Sequence, residues 1–180
     1  MAVSKTLLLP GWQNSGPAHW QSRWELIHGD HRVDQHDWMR PLRGDWSARL
    51  EEEVLAAPAP VMLVAHSLGC ILVAAWAAHS RNTHKVRAAL LVAPGDLERE
   101  DIRQMIPGWA PIVWQALPFR SLLVAARNDP YCEAERSREM ARAWGADYLD
   151  AGLRGHLNGE SGLGDWPEGR KLLNDLLKEN

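Results

Sequence analysis

Residues 61–70 read Val-Met-Leu-Val-Ala-His-Ser-Leu-Gly-Cys, an apolar run broken at His66-Ser67 and resumed at once. A strand that turns sharply into a helix at a serine lifts that hydroxyl off the edge of a sheet. Strand and helix backbones approach closely at such a turn, so the positions flanking the serine must be small. Ala65 and Gly69 meet that demand, with Ala65 standing where the G-x-S-x-G pattern has its first glycine. Ser67 is therefore the candidate nucleophile. The amide of Leu68, in the first turn of the helix, has no intrahelical acceptor and is a candidate donor to an oxyanion.

A serine hydroxyl needs a base before it attacks a carbonyl. The chain has eight histidines. His66 adjoins Ser67, but neighbours in a strand point to opposite faces, so His66 is expected to pack and shape the turn. His156 lies in Gly152-Leu-Arg-Gly-His-Leu-Asn-Gly-Glu-Ser-Gly, a glycine-rich loop past the last expected strand, and is the candidate base. The orienting carboxylate should fall between Ser67 and His156 in the chain, because this strand–turn–helix layout runs Ser, Asp or Glu, His. Asp129 and Asp96 compete, each just after a buried apolar run. Asp129 is favoured: it follows the strand directly before the one leading to His156, and Pro130 biases it toward extended backbone. Asp96 opens Asp-Leu-Glu-Arg-Glu-Asp and suits a helix N-cap better. The second oxyanion donor should come from Leu9-Pro-Gly-Trp-Gln-Asn-Ser-Gly16, with the amide of Trp12 the choice.

The elements that must hold these residues alternate along the chain. Short apolar runs predict strands at Thr6–Leu9, Val33–Trp38, Val61–Ala65, Ala88–Ala93, Ser121–Ala126 and Asp147–Asp150. Helical spacing predicts a helix from Gly16-Pro17 to Gly29, then Asp45–Ala57, Leu68–His79, Glu133–Trp144 and Trp166–Lys178. Leu68–His79 is apolar almost all round and should be buried. Strands alternating with helices imply a parallel sheet covered on both faces. Residues 96–119 break the rhythm with Pro107, Pro111 and Pro118, and are expected to run over the strand ends. Trp109 and Trp114 there, with Trp12, are expected to narrow the cleft and favour small acyl groups.

Composition excludes several classes. A chain of 180 residues is close to one domain of about 150. Twenty basic residues against 23 acidic give a net charge of −3, with no footprint for nucleic acid and no polybasic membrane patch. The longest apolar run, Cys70 to Ala78, is too short to span a bilayer, and no secretory signal is visible. The two cysteines, Cys70 and Cys132, exclude a disulfide scaffold, fit a reducing cytoplasm and have no evident activating partner. No G-x-G-x-x-G fingerprint and no metal-ligand spacing appears, so no cofactor or metal is expected. Ten tryptophans against two tyrosines and one phenylalanine predict a core of large planar side chains.

Taken together, Pro10-Gly-Trp12, Gly16-Pro-Ala-His-Trp-Gln-Ser-Arg-Trp-Glu25, Ala65-His-Ser-Leu-Gly-Cys70, Ala126-Arg-Asn-Asp-Pro-Tyr131, Gly155-His-Leu-Asn-Gly-Glu-Ser-Gly162 and Trp166-Pro-Glu-Gly169 resemble the small serine hydrolases of the retinoblastoma-binding-protein-nine and bacterial YdeN type. The resemblance spans nearly the whole chain in order. It implies a minimal α/β-hydrolase with Ser67, Asp129 and His156 as its triad, a carboxylesterase-like activity and no cofactor. The expectation is one domain over residues 1–180: a six-stranded parallel sheet in the order 2-1-3-4-5-6, helices on both faces. The expected partner is a small-molecule acyl substrate, with no nucleic acid and no membrane. Two rivals stay open: a peptidase, amidase or thioesterase with the same triad, and a protein-binding module with a vestigial site. An exposed apolar patch away from the triad would favour the second.

Overall fold

The structure is a computed structural model, and it describes residues 5–178. Six strands form one sheet: β1 (Lys5–Leu9), β2 (His31–Arg32), β3 (Val61–His66), β4 (Val86–Val92), β5 (Arg120–Ala125) and β6 (Asp147–Asp150). Their order is β2-β1-β3-β4-β5-β6, and every neighbouring pair is parallel. The helices are α1 (Trp20–His28), α2 (Arg43–Ala56), α3 (Leu68–Ala77), α4 (Glu100–Met105), α5 (Ala134–Trp144) and α6 (Pro167–Lys178).

Alternation along the strands builds two cores. Leu7, Leu9, Leu63, Ala65, Ala89, Leu91 and Leu123 face α2, α3 and α5. Leu8, Met62, Val64, Leu90, Val92 and Val124 face α1 and α6. This is the two-residue period of a strand with both faces covered, which is why the central strands are apolar throughout. Every residue from Leu68 to Trp76 of α3 is buried, as its all-round apolar sequence predicts.

The tryptophans do much of the packing. Trp20, Trp24, Trp46, Trp76, Trp109, Trp144 and Trp166 are buried. Five of their indole donors find partners in the loops, among them Trp24, which donates to the Asp165 carbonyl at 2.8 Å, Trp109 to Pro41 at 2.9 Å and Trp144 to Val113 at 2.7 Å. Each such bond ties a loop to the core and satisfies a group whose burial would otherwise be unfavourable.

Most element ends shift by one or two residues from the sequence expectation, and two elements differ more. The second strand is His31–Arg32, ahead of the predicted Val33–Trp38. One further ladder bond runs from the Val33 amide to the Leu8 carbonyl at 2.9 Å. Beyond it the chain bends, and Asp37 Oδ1 accepts from the amides of Met39 and Arg40, a local bond that competes with the sheet. The first helix begins at Trp20 rather than at Gly16-Pro17, because His19 is the N-cap: its Nδ1 accepts from the Gln21 amide at 3.1 Å. Gly29 and Gly145 end α1 and α5 in the left-handed conformation, where glycine carries no Cβ penalty. No helix of the described residues is long and apolar enough to cross a membrane.

Candidate active site

Ser67 sits between β3 and α3 at φ 55° and ψ −119°, a conformation that a non-glycine residue adopts only when its surroundings enforce it. The enforcement is visible on three sides. The Ser67 amide donates to the Val92 carbonyl at 3.0 Å, and its own carbonyl accepts from the Cys70 amide at 3.0 Å. A Cβ on Gly69 would lie 2.2 Å from the Leu9 carbonyl oxygen, so α3 crosses β1 at a distance only glycine allows. The close approach required of this position by the sequence is present, and the strand on the other side of it is β1.

The three residues singled out as a triad come together. His156 Nδ1 lies 2.8 Å and 3.0 Å from the two carboxylate oxygens of Asp129. Since a carboxylate only accepts, the Nδ1–H donates and Nε2 carries the lone pair. Ser67 Oγ stands 2.9 Å from that Nε2 and donates to it. The Asp129 side chain is almost fully buried, with Oδ1 also accepting from the Tyr131 amide at 2.9 Å. The Tyr131 ring meets the imidazole edge-on at 4.6 Å.

The loop that carries His156 is held from several sides. His66 Nε2 donates to the His156 carbonyl at 2.9 Å, and Trp20 Nε1 to the Leu157 carbonyl at 2.8 Å. Gly155 stands at φ 60° and donates its amide to Asn128 Oδ1 at 2.8 Å. His66 thus shapes the site from behind, the role expected of it, and burial holds its pKa well below the ordinary imidazole value, with His19 and His156 adding to the effect.

Across the cleft, the loop after β1 packs directly on the elbow. A Cβ on Gly11 would sit 2.9 Å from Ser67 Cβ and 3.3 Å from the Leu68 nitrogen. The amides of Trp12 and Leu68 have no acceptor among the described residues. Gln13 and Asn14 both have positive φ, at 67° and 65°. Arg32 of β2 clamps this strained turn: its guanidinium donates to Asn14 Oδ1 at 2.6 Å and to the Ser15 carbonyl at 3.0 Å, and pairs with Glu25 at 2.8 Å. Sequence reasoning gave Arg32 no role, because its partners lie up to 18 residues away.

A cleft of about 560 Å³ opens over Ser67. Leu97, Ile102, Met105 and Ile106 make one wall. Residues 96–119 therefore do reach the site, but not through the tryptophans. Trp109 is fully buried, and Trp114 stacks under Arg136 at 4.4 Å, away from the cleft. Asp96 is not the expected N-cap: α4 starts at Glu100 after Arg99, while Asp96 Oδ1 accepts from the Glu98 amide at 3.2 Å and its carboxylate faces Arg136 at 3.4 Å.

Both thiols are free and buried. Burial pushes the Cys70 thiol far up, and burial with the nearby Asp96 and Asp129 charges pushes Cys132 up to about 12. Neither is a nucleophile in this state. Among the described residues no group of three His, Cys, Asp or Glu side chains is arranged to hold a metal ion.

Comparison with known proteins agrees with this fold. A YdeN-like hydrolase from Pectobacterium atrosepticum superposes with a TM-score of 0.83 at 29% identity, over 96% of this chain and 89% of that one. The ydeN gene product of Bacillus subtilis gives 0.77 at 17% identity, over 98% and 100%. The fold is shared with carboxylesterase CesB of Bacillus subtilis, at a TM-score of 0.65 and 13% identity, over 99% and 85%. No curated protein matches the sequence. Over residues 6–175 the sequence fits the model described as serine hydrolase, and it is to this family that the chain belongs.

Proposed function

We propose that the protein is a serine esterase that cleaves a carboxylic ester through an acyl-enzyme on Ser67. The observation that carries the reading is the continuous hydrogen-bonded line from Asp129 through His156 to the Ser67 hydroxyl. In this reading Ser67 Oγ attacks the ester carbonyl as His156 Nε2 takes its proton. Asp129 keeps the proton on Nδ1 and stabilises the imidazolium that forms. The amides of Trp12 and Leu68, free of other acceptors and flanking Ser67, stabilise the oxyanion. His156 then returns the proton to the leaving group and activates the water that releases the acid.

The apolar wall of Leu97, Ile102, Met105 and Ile106 supports an apolar acyl group. The test is labelling with a fluorophosphonate, followed by peptide mapping and by a panel of ester, thioester and amide substrates. Label on Ser67 alone, lost in Ser67→Ala together with ester turnover, is the expected result. Label elsewhere, or full turnover in Ser67→Ala, overturns the reading. Faster cleavage of amides or thioesters than of esters moves the reaction to another acyl bond.

A further inference from the structure

The two walls of the cleft differ in kind. The wall from residues 97–106 belongs to the α3 side of the sheet and is apolar. The opposite wall carries the polar side chains of Gln13, Asn14, His19, Asn158 and Glu160 among apolar ones such as Trp12. No Lys or Arg lines the cleft, and Glu160 is its only acidic lining residue, the Asp129 carboxylate lying behind His156.

His19 is the unusual member of the polar wall. Its Nδ1 accepts from the Gln21 amide, so in the neutral ring the proton is on Nε2. The ring is held neutral: burial first, then the Arg32 and His156 charges, lower its pKa to about 3. Nε2 is buried and has no partner among the described residues, although the residue is only 6% exposed and lines the cleft. A buried donor left without an acceptor is unfavourable, and one on a residue that lines the cleft is a place for a substrate oxygen. Glu160 supplies the converse group: its exposed carboxylate, four residues beyond His156, has no hydrogen-bond or ion-pair partner among the described residues.

Position decides which half of the substrate meets this wall. His156 delivers its proton to the leaving oxygen, so the leaving group lies on the His156 side of Ser67. That side carries Asn158, Gly159 and Glu160, and a Cβ on Gly159 would lie 3.5 Å from the His19 backbone nitrogen. Resting on the esterase reading, we infer that the leaving group is an uncharged polyhydroxy alcohol of glycerol type, with His19 Nε2–H donating to one hydroxyl oxygen and Glu160 accepting from another. A cationic alcohol would use Glu160 but leave the His19 donor unmatched. An anionic carrier, such as a nucleotide-bearing thiol, would meet a carboxylate and no cation.

The experiment compares ethyl butyrate, glyceryl monobutyrate, butyrylcholine and butyryl-coenzyme A on the pure protein, each rate divided by that compound's own hydroxide rate. The normalised kcat/KM for the glyceryl ester should exceed that for the ethyl ester by about tenfold, the combined worth of two modest net hydrogen bonds. His19→Asn keeps an N-cap oxygen for α1 but loses the Nε2 donor, and it should bring the glyceryl-to-ethyl ratio toward one. Glu160→Ala, at an exposed position that does not endanger the fold, should lower the same ratio. A ratio of one in the native protein, a ratio unmoved by both variants, or a preference for the choline or coenzyme A compound overturns the inference. If ethyl butyrate is cleaved at Ser67 without preference, this inference falls and the esterase reading stands. If no ester is cleaved and Ser67 takes no label, both fall.

Discussion

His66 holds His156: its Nε2–H donates to the His156 carbonyl at 2.9 Å, and the two rings lie 4.8 Å apart. The residue before the nucleophile thus fixes the backbone of the residue that carries the base. Both ends of the Ser67–His156 hydrogen bond are in this way tied to one short segment of β3.

This tie predicts a kinetic effect with little loss of substrate binding. His66→Leu fills the space but removes the donor, leaving the His156 carbonyl free to move. A misplacement of about 1 Å at a reacting group costs up to about 100-fold in rate. The expected outcome is a fall in kcat of ten- to 100-fold with KM nearly unchanged, measured on one ester. A variant with native kcat would show that Trp20 and Asn128 suffice to hold the loop.

The two buried neutral imidazoles predict an acid-labile fold. In the unfolded chain each protonates near the ordinary value of 6.5, but folded His19 protonates only at about 3, and His66 well below 6.5. Between those values the unfolded state holds more protons, so acid favours it. The stability is complete above about pH 6.5 and falls with decreasing pH, by up to about 1.4 kcal/mol per pH unit for each histidine. Urea unfolding at pH 7.5 and pH 5 should give a lower midpoint at pH 5. The drop should shrink in His19→Asn, which has no imidazole to protonate.

Two glycines predict opposite outcomes. Gly69→Ala places a Cβ 2.2 Å from the Leu9 carbonyl oxygen, a backbone atom, so the elbow cannot close and the protein should fail to fold. Gly11→Ala meets Ser67 Cβ at 2.9 Å and the His66 carbonyl oxygen at 3.2 Å, and a loop can move where a core strand cannot. The Trp12 amide should move with it. Loss of one oxyanion donor lowers kcat by about 100- to 1000-fold. A folded Gly11→Ala with such a loss, by circular dichroism and steady-state kinetics, is the expected result.

What the sequence discloses of this molecule follows from how local each constraint is. The elbow is legible because its steric demand falls within five residues, Ala65 to Gly69. The sheet order follows once the elbow fixes the layout, and the β6 bounds agree residue for residue. Arg32 and His19 escape notice because their significance depends on groups distant in the chain: the Asn14–Ser15 turn for one, the cleft for the other. Trp109 misleads for a physical reason. An indole suggests a cleft wall, but its donor finds the Pro41 carbonyl 68 residues away, and the ring is drawn into the core. Ile102, Met105 and Ile106, ordinary apolar residues of a short helix and its C-cap, line the cleft instead.

The carboxylate that orients His156 gives the last prediction. Asp129 touches the imidazole with both oxygens and is anchored by the Tyr131 amide, whereas Asp96 bonds the Glu98 amide and faces Arg136. An amide at position 129 can present its NH2 to Nδ1, which moves the imidazole proton to Nε2 and blocks that atom from accepting the serine proton. In a serine protease the equivalent change lowers kcat by about four orders of magnitude with the geometry intact. At position 96 an amide still accepts from the Glu98 amide, and only a partly exposed ion pair is lost, at about 1 kcal/mol or less. Asp129→Asn should therefore be folded and nearly inactive, and Asp96→Asn active with a slightly lower unfolding midpoint. Inactivity of Asp96→Asn beside an active Asp129→Asn would require His156 to turn away from the carboxylate it now meets at 2.8 Å, and so would refute the triad as drawn.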